Sequence, residues 1–425
     1  MRRRIRLACL LSAPVLVACL LLASAASAVL VQLPGDPAPV GYQPPINQGA
    51  AQTKRASAEA KMVTYHHGPV MTSNTNYPLF WAAGGEAAYP AGYISGIDTW
   101  FGDVAHDSGN LLNTESILTQ YGDEEGGFAN YNSHFGGAQI DTDPYPANGC
   151  KAAAICLTRE QVEAEVRGYA EAHALPGDLA HEYFVLTPPG VAICFEAAGK
   201  QCSEGTEKFK FCAFHSDIPV GGATYIYAAN PWVESSACVA ESPNETPSDH
   251  AISGGLAHEH SESVTDPLGT GWFNEKKEEV ADLCRSANPL KELGTPLGTA
   301  PDGAPYNQLI NGHEYLYQMM WSNERGACEQ RVALPPTFKK LSPKKGPTSG
   351  GTRVTIVGTG FIGAVTVYFG STPGTDVKLT SSTQLSVLSP PESAGEVSVT
   401  IHTEAGATAA SKKSAFKYKA TKAKK

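Results

Sequence analysis

Apolar and polar positions follow two different periods along the first three quarters of this chain. Residues 158–174 place apolar side chains at helical spacing, with Thr158 at the N-cap and Gln161 three residues later, which predicts a capped helix. Residues 61–71 alternate and are rich in β-branched and aromatic side chains, which predicts a strand. Buried strands are predicted at Tyr183–Leu186, Val191–Phe195 and Ala223–Ala229. This mixture predicts an α+β body.

Residues 335–418 have a different pattern, in which short β-rich runs are separated by Gly, Pro and Ser, and this predicts a small β-sandwich. The segment LSPKKGPTSGGTRVTIVGTGF at 341–361, followed by SPP at 389–391 and a closing FKY at 416–418, resembles the IPT/TIG family. The resemblance implies an immunoglobulin-like fold that contacts protein or carbohydrate, or acts as a spacer, with no chemistry of its own. A cell-wall or surface polymer is therefore an expected partner of this module.

The first residues have the pattern of an export signal. Four Arg residues lie within 2–6, an apolar run follows at 7–23, and Ala26-Ser27-Ala28 forms a small-residue cleavage site, which predicts a secreted chain that begins at Val29. LVAC at 16–19 resembles a bacterial lipobox, so a lipid anchor at Cys19 is the alternative. No later run approaches the roughly 18 apolar residues that a membrane-spanning helix needs.

The 425 residues are therefore expected to fall into five parts. These are a signal peptide at 1–28, a leader predicted to be flexible at 29–58, an α+β metallohydrolase-type domain at 59–334, the β-sandwich at 335–418, and a Lys-rich tail at 419–425. The net charge is −10, although residues 335–425 carry 13 Lys and Arg against 4 Asp and Glu. The body is thus strongly acidic, which argues against a nucleic-acid partner.

Eight cysteines lie outside the signal, and all of them fall between 150 and 328. An even number in an exported chain predicts disulfides, and the absence of paired C-x-x-C spacing argues against a cysteine metal site. Cys150–Cys156 and Cys194–Cys202 are the suggested local pairs.

The segment from 249 to 284 carries the candidate chemistry. A helix is predicted at 252–264, ended by Pro267, and on it His258 and Glu262 lie one turn apart on the same face. Glu259 is adjacent to His258, so the motif is H-E-x-x-E. In zinc peptidases, H-E-x-x-H places two ligands in this way, and the intervening Glu takes a proton from metal-bound water. A carboxylate can replace the second His as a zinc ligand. We therefore predict Zn²⁺ on His258 and Glu262, with Glu259 as general base.

A third ligand is expected on a second helix, predicted at 274–284. Asp282 is favoured over Glu279, because Asp282 lies among apolar neighbours where an unpaired charge is costly. Asp266 is expected to cap a loop or to contact His258 from outside the ligand set. His260 points to another face of the first helix.

H-E-x-x-E-x-x-T-D-P at 258–267, with G-W and E-x-x-D-x-C downstream, resembles a pattern of secreted bacterial zincin-like hydrolases. That resemblance implies a zinc metallopeptidase acting on protein or peptide. YHHGPVM at 65–71 resembles the opening of the phosphate-induced/Exordium family. This second resemblance implies an extracellular, wall-associated protein without catalytic activity. The two functions remain alternatives at this point.

Overall fold

A computed structural model describes residues 30–33, 38–45, 62–239, 246–286, 288–332, 335–361, 365–381, 383–403 and 405–420. The predicted signal peptide and most of the Lys-rich tail lie outside these residues. Within them, no helix is long and apolar enough to cross a membrane.

The body is built on a mixed seven-stranded sheet. In chain order its strands are β1 (Gly41–Gln43), β2 (Asn74–Trp81), β3 (Ser133–Phe135), β4 (Gln139–Asp141), β5 (His181–Leu186), β6 (Ala213–Val220) and β7 (Ala223–Asn230). Their spatial order is β1-β6-β7-β5-β2-β3, and β4 also pairs with β2. The pairs β7/β5, β5/β2, β2/β3 and β2/β4 are parallel, whereas β6 is antiparallel to both β7 and β1.

Helices cover both faces of this sheet. Successive residues of its central strands point to opposite sides, so each face presents apolar side chains on which a helix packs. Trp81 and Val185 pack on one face against α2 (Arg159–Ala172), while Phe80 packs on the other face against α1 (Tyr93–His106). The second face also receives α4 (Ala257–Thr265), which is preceded by α3 (Pro247–Ala251). The body thus consists of mixed sheets with few helices. This agrees with a body that contains both strands and helices, whereas the zincin-like fold remains a prediction.

The predicted helix at 158–174 is confirmed as α2. Thr158 accepts a hydrogen bond from the Gln161 backbone N–H, and the Gln161 side chain accepts one from the Thr158 N–H, so the capping box is complete. The local sequence was sufficient here because the start signal and the apolar spacing agree.

The helix predicted at 252–264 is divided by an irregular turn. Thr246 caps α3, Pro247 occupies its first position, and a π-helical turn at Ile252–Leu256 then leads into α4. A Cβ on Gly255 would lie 2.7 Å from Cβ of Ala213 on β6. The lack of a side chain at Gly255 therefore allows the turn to pass close to the sheet immediately before His258.

Two predicted elements are wrong. The strand predicted at 61–71 is reduced to Thr64–Tyr65, which pairs with Trp272–Phe273, because His67 has φ 71° and Pro69 follows. The helix predicted at 274–284 is absent apart from a 3-10 turn at Asp282–Cys284. The Asn274 side chain accepts hydrogen bonds from the N–H groups of residues 276 and 278, and this loop geometry replaces the first helical turn.

The rest of the body consists of short elements joined by four disulfides. The short helices are Gly85–Ala88, Glu115–Leu118 and Pro289–Glu292. The short strands are Ile155–Thr158, Val191–Cys194, Gly298–Thr299, Pro305–Tyr306, Gln308–Ile310, His313–Tyr315, Met320–Ser322 and Ala327–Glu329. The disulfides are Cys150–Cys156, Cys194–Cys202, Cys212–Cys238 and Cys284–Cys328. The two suggested local pairs are therefore confirmed, and the disulfides fit an extracellular protein.

The C-terminal part is a β-sandwich of two sheets. One sheet has the order Thr337–Ser342, Arg353–Thr359, Gln384–Leu388 and Thr375–Ser381. The other has Lys345–Pro347, Ala415–Lys419, Gly395–Thr403, Thr366–Phe369 and Thr372–Pro373, with Gly406–Ala407 beside Gly395–Thr403 and a 3-10 turn at Lys412–Ser414. The two sheets enclose their own apolar core, which includes Ile356, Val387 and Phe416. This part is the β-sandwich that the sequence predicts.

Candidate metal centre

His258 lies on α4 with 1 % of its surface exposed, and its ring is held from one side. Its Nδ1 lies 3.0 Å from Oε1 of Gln318, and the Gln318 Nε2 donates to the Ala281 carbonyl at 2.7 Å. The carbonyl fixes the orientation of the Gln318 amide, so the amide oxygen must face the imidazole. The other ring nitrogen, Nε2, is therefore directed into the interior of the body.

Two carboxylates meet this nitrogen. Nε2 of His258 lies 3.2 Å from Oε2 of Glu262 and 3.4 Å from Oδ1 of Asp282. None of these three atoms has a hydrogen-bond partner of acceptable geometry in the described part of the chain. Four ligands at about 2.0–2.1 Å from a tetrahedral zinc ion are roughly 3.3–3.4 Å from one another. The two distances from Nε2 fit ligands of one metal ion of this size, and all three ligand atoms lie within 4.8 Å of one another.

The second oxygen of each carboxylate is occupied by a backbone N–H. Oε1 of Glu262 accepts from the Asp282 N–H at 3.1 Å, and Oδ2 of Asp282 accepts from the Glu279 N–H at 2.9 Å. These bonds fix both carboxylates while leaving one oxygen of each toward His258. Such outer contacts are what orient the ligands in a metal site.

The electrostatics of the three groups reflect their closeness. Burial alone would lower the pKa of His258, but the Glu262 and Asp282 carboxylates raise it well above its usual range. Burial, followed by the Glu262 carboxylate, raises the pKa of Asp282 to about 8. The pKa of Glu262 is lowered despite its burial, because His258 is adjacent. Without a cation, the cluster must hold protons instead.

Glu259 lies on the neighbouring side of α4 and contacts a residue that the sequence motif does not include. Its Oε2 accepts a hydrogen bond from Nδ1 of His215 on β6 at 3.0 Å, while its Oε1 has no partner among the described residues. Nδ1 of His215 is also 3.8 Å from Oε2 of Glu262. The donor atoms of His215, Glu259 and Glu262 thus form a second group that shares Glu262 with the first.

His215 was missed because nothing local marks it. Residues 213–220 read AFHSDIPV, a run with mixed polarity that no motif links to 258–262. Only the position of β6 in the assembled sheet brings His215 to Glu259.

Glu279 and Asp266 complete the cluster without joining His258. Oε1 of Glu279 faces Nε2 of His215 at 3.7 Å, so the expectation that Glu279 is an alternative to Asp282 does not match its position. Because the helix at 274–284 is absent, Glu279 and Asp282 do not share a helical face. Oδ1 of Asp266 accepts from the N–H groups of Thr270 and Gly271, which makes it a loop cap.

The buried cluster therefore contains more acid than base. Its members are His215, His258, Glu259, Glu262, Asp266, Glu279 and Asp282, all of them buried. Across the described ranges, no Lys or Arg forms an ion pair with any of them. Uncompensated buried carboxylates are very costly, so a cation or several protons must balance them.

His260 belongs to a separate buried group on the opposite side of α4, as expected. Its Nε2 is 3.6 Å from Oε2 of Glu115, and its Nδ1 is 3.4 Å from Oε2 of Glu182. The two nitrogens point to different carboxylates rather than to one point. This group has the geometry of an internal ion network and not that of a metal site.

The side chains of the cluster are almost inaccessible to solvent, with exposed fractions of 0–2 %. A surface hollow lined by Tyr65, His67, Asp123 and Asp178, among others, includes none of its residues. The metal-type geometry is thus enclosed, whereas a peptidase site must admit a substrate.

Comparison with known proteins identifies the C-terminal part. The family model described as the IPT/TIG domain matches residues 336–418, and the predicted C-terminal module is confirmed. An IPT/TIG domain suggests an extracellular module that binds a partner or acts as a spacer. The match covers only this part of the chain, and no curated protein matches the chain.

Solved structures add only partial similarities. The plexin A4 extracellular region is 28 % identical over 20 % of this chain and 7 % of its own, with a TM-score of 0.19. SGBP-B from a xyloglucan utilization locus in Bacteroides uniformis is 28 % identical over 19 % of this chain and 23 % of its own, with a TM-score of 0.18. An auxiliary nutrient binding protein from Bacteroides thetaiotaomicron is 23 % identical over 20 % and 21 %, with a TM-score of 0.17.

This chain therefore spans less than a quarter of each of these proteins. The zincin-like and Exordium resemblances of the body gain no support from the matches.

Proposed function

We propose that this protein is an extracellular zinc-dependent hydrolase of the metallopeptidase type, carried beside an IPT/TIG binding or spacer domain. The observation that carries the proposal is the convergence of His258 Nε2, Glu262 Oε2 and Asp282 Oδ1 at spacings that suit a single metal ion. All three atoms are buried and have no hydrogen-bond partner in the described residues.

The donor set suits zinc and would leave the fourth position of a tetrahedral ion to water. One imidazole nitrogen and two carboxylate oxygens are accepted zinc ligands, and three protein ligands are the number found in catalytic rather than structural sites. When bound, Zn²⁺ lowers the pKa of a coordinated water and polarises a carbonyl oxygen. The two carboxylates make the site harder than a bis-histidine site, so Mn²⁺ is an expected competitor.

In this proposal, Glu259 is the general base that accepts a proton. Its Oε2 is held by His215, while its unpartnered Oε1 remains free to take a proton from a reacting water. Burial raises the pKa of the Glu259 carboxyl, and His215 and His258 oppose the rise. An acid with a raised pKa is well suited to act as a base near neutral pH. His215 acts here as a positioning residue.

The test uses the mature full-length protein. We expect about one Zn²⁺ per chain by elemental analysis, as three converging ligands imply, and chelator-sensitive hydrolysis of casein. Asp282→Asn should lose both zinc and hydrolysis, whereas Glu259→Gln should keep zinc and lose hydrolysis. The exposed Glu275→Gln is the matched control and should change neither. Wild-type protein without stoichiometric metal would refute the proposal.

The burial of the cluster favours a second candidate function. In it, the same ligands hold a structural metal, and the protein is a non-catalytic extracellular binding protein whose IPT/TIG domain contacts a wall polymer or another protein. This alternative expects zinc in wild type and a lower melting temperature in Asp282→Asn. It also expects no casein hydrolysis by either wild type or Glu259→Gln. Metal content and hydrolysis measured together therefore separate the two functions.

A further inference from the structure

The outermost strand of the main sheet comes from the leader. β1 pairs antiparallel with β6, so that Gly41 faces His215, Tyr42 faces Phe214 and Gln43 faces Ala213. Without β1, the strand that carries His215 would be the edge of the sheet. The leader was predicted to be flexible, and its described residues are instead paired and mostly buried.

The leader backbone lies directly against the buried cluster. A Cβ on Gly41 would overlap Cε1 of His215 and Oε2 of Glu279, so any larger residue at this position of β1 would displace those two side chains. The neighbours Val40 and Tyr42 point the other way, into the apolar core on the opposite face of the sheet. β1 thus presents a small residue to the cluster and large apolar residues to the core, as an extended peptide alternates its side chains.

Mostly main-chain bonds hold the leader on both sides of the cluster. On the β6 side, the Cys212 N–H donates to the Gln43 carbonyl at 2.7 Å, and the Ser216 hydroxyl donates to the Pro39 carbonyl at 2.8 Å. On the other side, the Leu30 N–H donates to the Lys277 carbonyl at 2.9 Å. Bonds to the main chain do not depend on the leader's side chains, so another extended peptide could make those of β6.

We propose that the edge of β6 is a binding site for an extended peptide, and that β1 fills this site as an internal occupant that closes the metal centre. The sequence of β1 indicates the class of peptide. We expect an extended segment that has glycine or another very small residue opposite His215 and an apolar residue on each side of that small residue. This inference rests on the proposed hydrolase, because it names the substrate class of that site and explains why the site is enclosed.

The experiment releases β1 from a folded full-length chain. A specific protease sequence is placed at 50–55, the purified protein is cut there, and binding of a fluorescent peptide APVGYQPP, the sequence of 38–45, is measured. We expect the cut protein, but not the intact one, to bind the peptide. Removal of a tethered competitor should also raise casein hydrolysis about tenfold. A peptide with leucine in place of glycine should not bind.

Two point variants support the test in the uncut chain. Gly41→Leu should expel β1 and allow peptide binding, because its side chain cannot be placed beside His215. Gly168→Leu is the matched control, since a Cβ there meets nothing within 4 Å and residue 168 is exposed on α2. The cut protein remains informative if Gly41→Leu does not fold.

The outcomes distinguish this inference from the proposed hydrolase. Peptide binding to a cut protein that lacks zinc or hydrolysis would leave the β6 site standing and refute the hydrolase. Three outcomes would overturn the inference: the cut leader stays bound, the cut protein unfolds, or the zinc-loaded cut protein does not bind the peptide. In each of those cases β1 would be a permanent strand of the sheet.

Discussion

Nδ1 of His258 lies 3.0 Å from Oε1 of Gln318, and this contact decides which nitrogen of the imidazole faces Glu262 and Asp282. An amide oxygen only accepts, so Nδ1 carries a proton and Nε2 remains the atom available to a metal. Gln318 belongs to no motif, yet it selects the tautomer of His258, the central residue of the proposed metal site.

Replacing Gln318 by leucine should weaken zinc binding. The variant keeps the bulk of the side chain but removes the acceptor for Nδ1, and loss of such a contact typically costs about 10–100-fold in metal affinity. Competition with a chromophoric chelator measures the change. Gln201→Leu, at a half-buried position away from the cluster, should bind zinc like wild type. Equal affinity in the two variants would contradict the assigned role of Gln318.

Removing the Cys284–Cys328 disulfide should reduce both stability and zinc retention. This bond spans 44 residues and begins two residues after Asp282, and closing a loop of that length is worth about 4 kcal/mol in the chain-entropy account. We expect the double serine variant to lose about that much unfolding free energy in urea.

The Cys150–Cys156 pair is the matched comparison for the disulfide test. It closes only 6 residues, and the same account gives about 2 kcal/mol. Its double serine variant should also keep its zinc, because neither cysteine is near the ligands. A larger loss at Cys150–Cys156 than at Cys284–Cys328 would argue against this account.

Glu165 on α2 should make the protein less stable at alkaline pH. Burial, followed by the Asp141 carboxylate, raises the pKa of Glu165 to about 8 from an ordinary 4.5. The folded state therefore holds this proton more tightly than the unfolded state, and stability falls as pH rises between those two values. Glu165→Gln removes the effect. The melting temperature of this variant minus that of wild type should therefore increase between pH 5 and pH 9. Glu171→Gln, exposed on the same helix, should show no such trend.

The IPT/TIG domain should fold when residues 335–420 are produced alone, because it has a core of its own. Within it, Ile356 is fully buried, and Ile356→Ala should lower the unfolding free energy by about 2–5 kcal/mol. Leu379 is 45 % exposed, so Leu379→Ala should have little effect. Urea unfolding of the isolated domain measures both. A domain that unfolds without the body would contradict the expectation.

Local signals predicted the parts of the molecule that depend on neighbouring residues in the chain. The capping box of α2 and the spacing of His258 and Glu262 could be read directly, as could the succession of short strands in the C-terminal domain. His215 and Gln318 could not be found in this way, since they reach the cluster only through the pairing of β6 and the packing of 318 on residue 281. The helix expected at 274–284 is absent because the Asn274 side chain accepts hydrogen bonds from the backbone N–H groups that follow it and so redirects the backbone.

The enclosure of the site also escaped prediction. Residues 29–58 have little periodicity, and β1 contributes only three of them to the sheet. Its pairing with β6 depends on the vacant edge that β6 offers, and that edge exists only in the assembled sheet. Long-range strand pairing of this kind leaves no local pattern.

The π-helical turn at Ile252–Leu256 sets the angular position of every side chain on α4. Each residue of an α-helix advances the chain by about 100° around the axis, so deleting one residue from this turn would rotate His258 and Glu262 by that angle relative to α3. The face that meets Asp282 and His215 would then be turned away from them. A single-residue deletion in this turn should consequently abolish metal binding, although every proposed ligand remains in the chain.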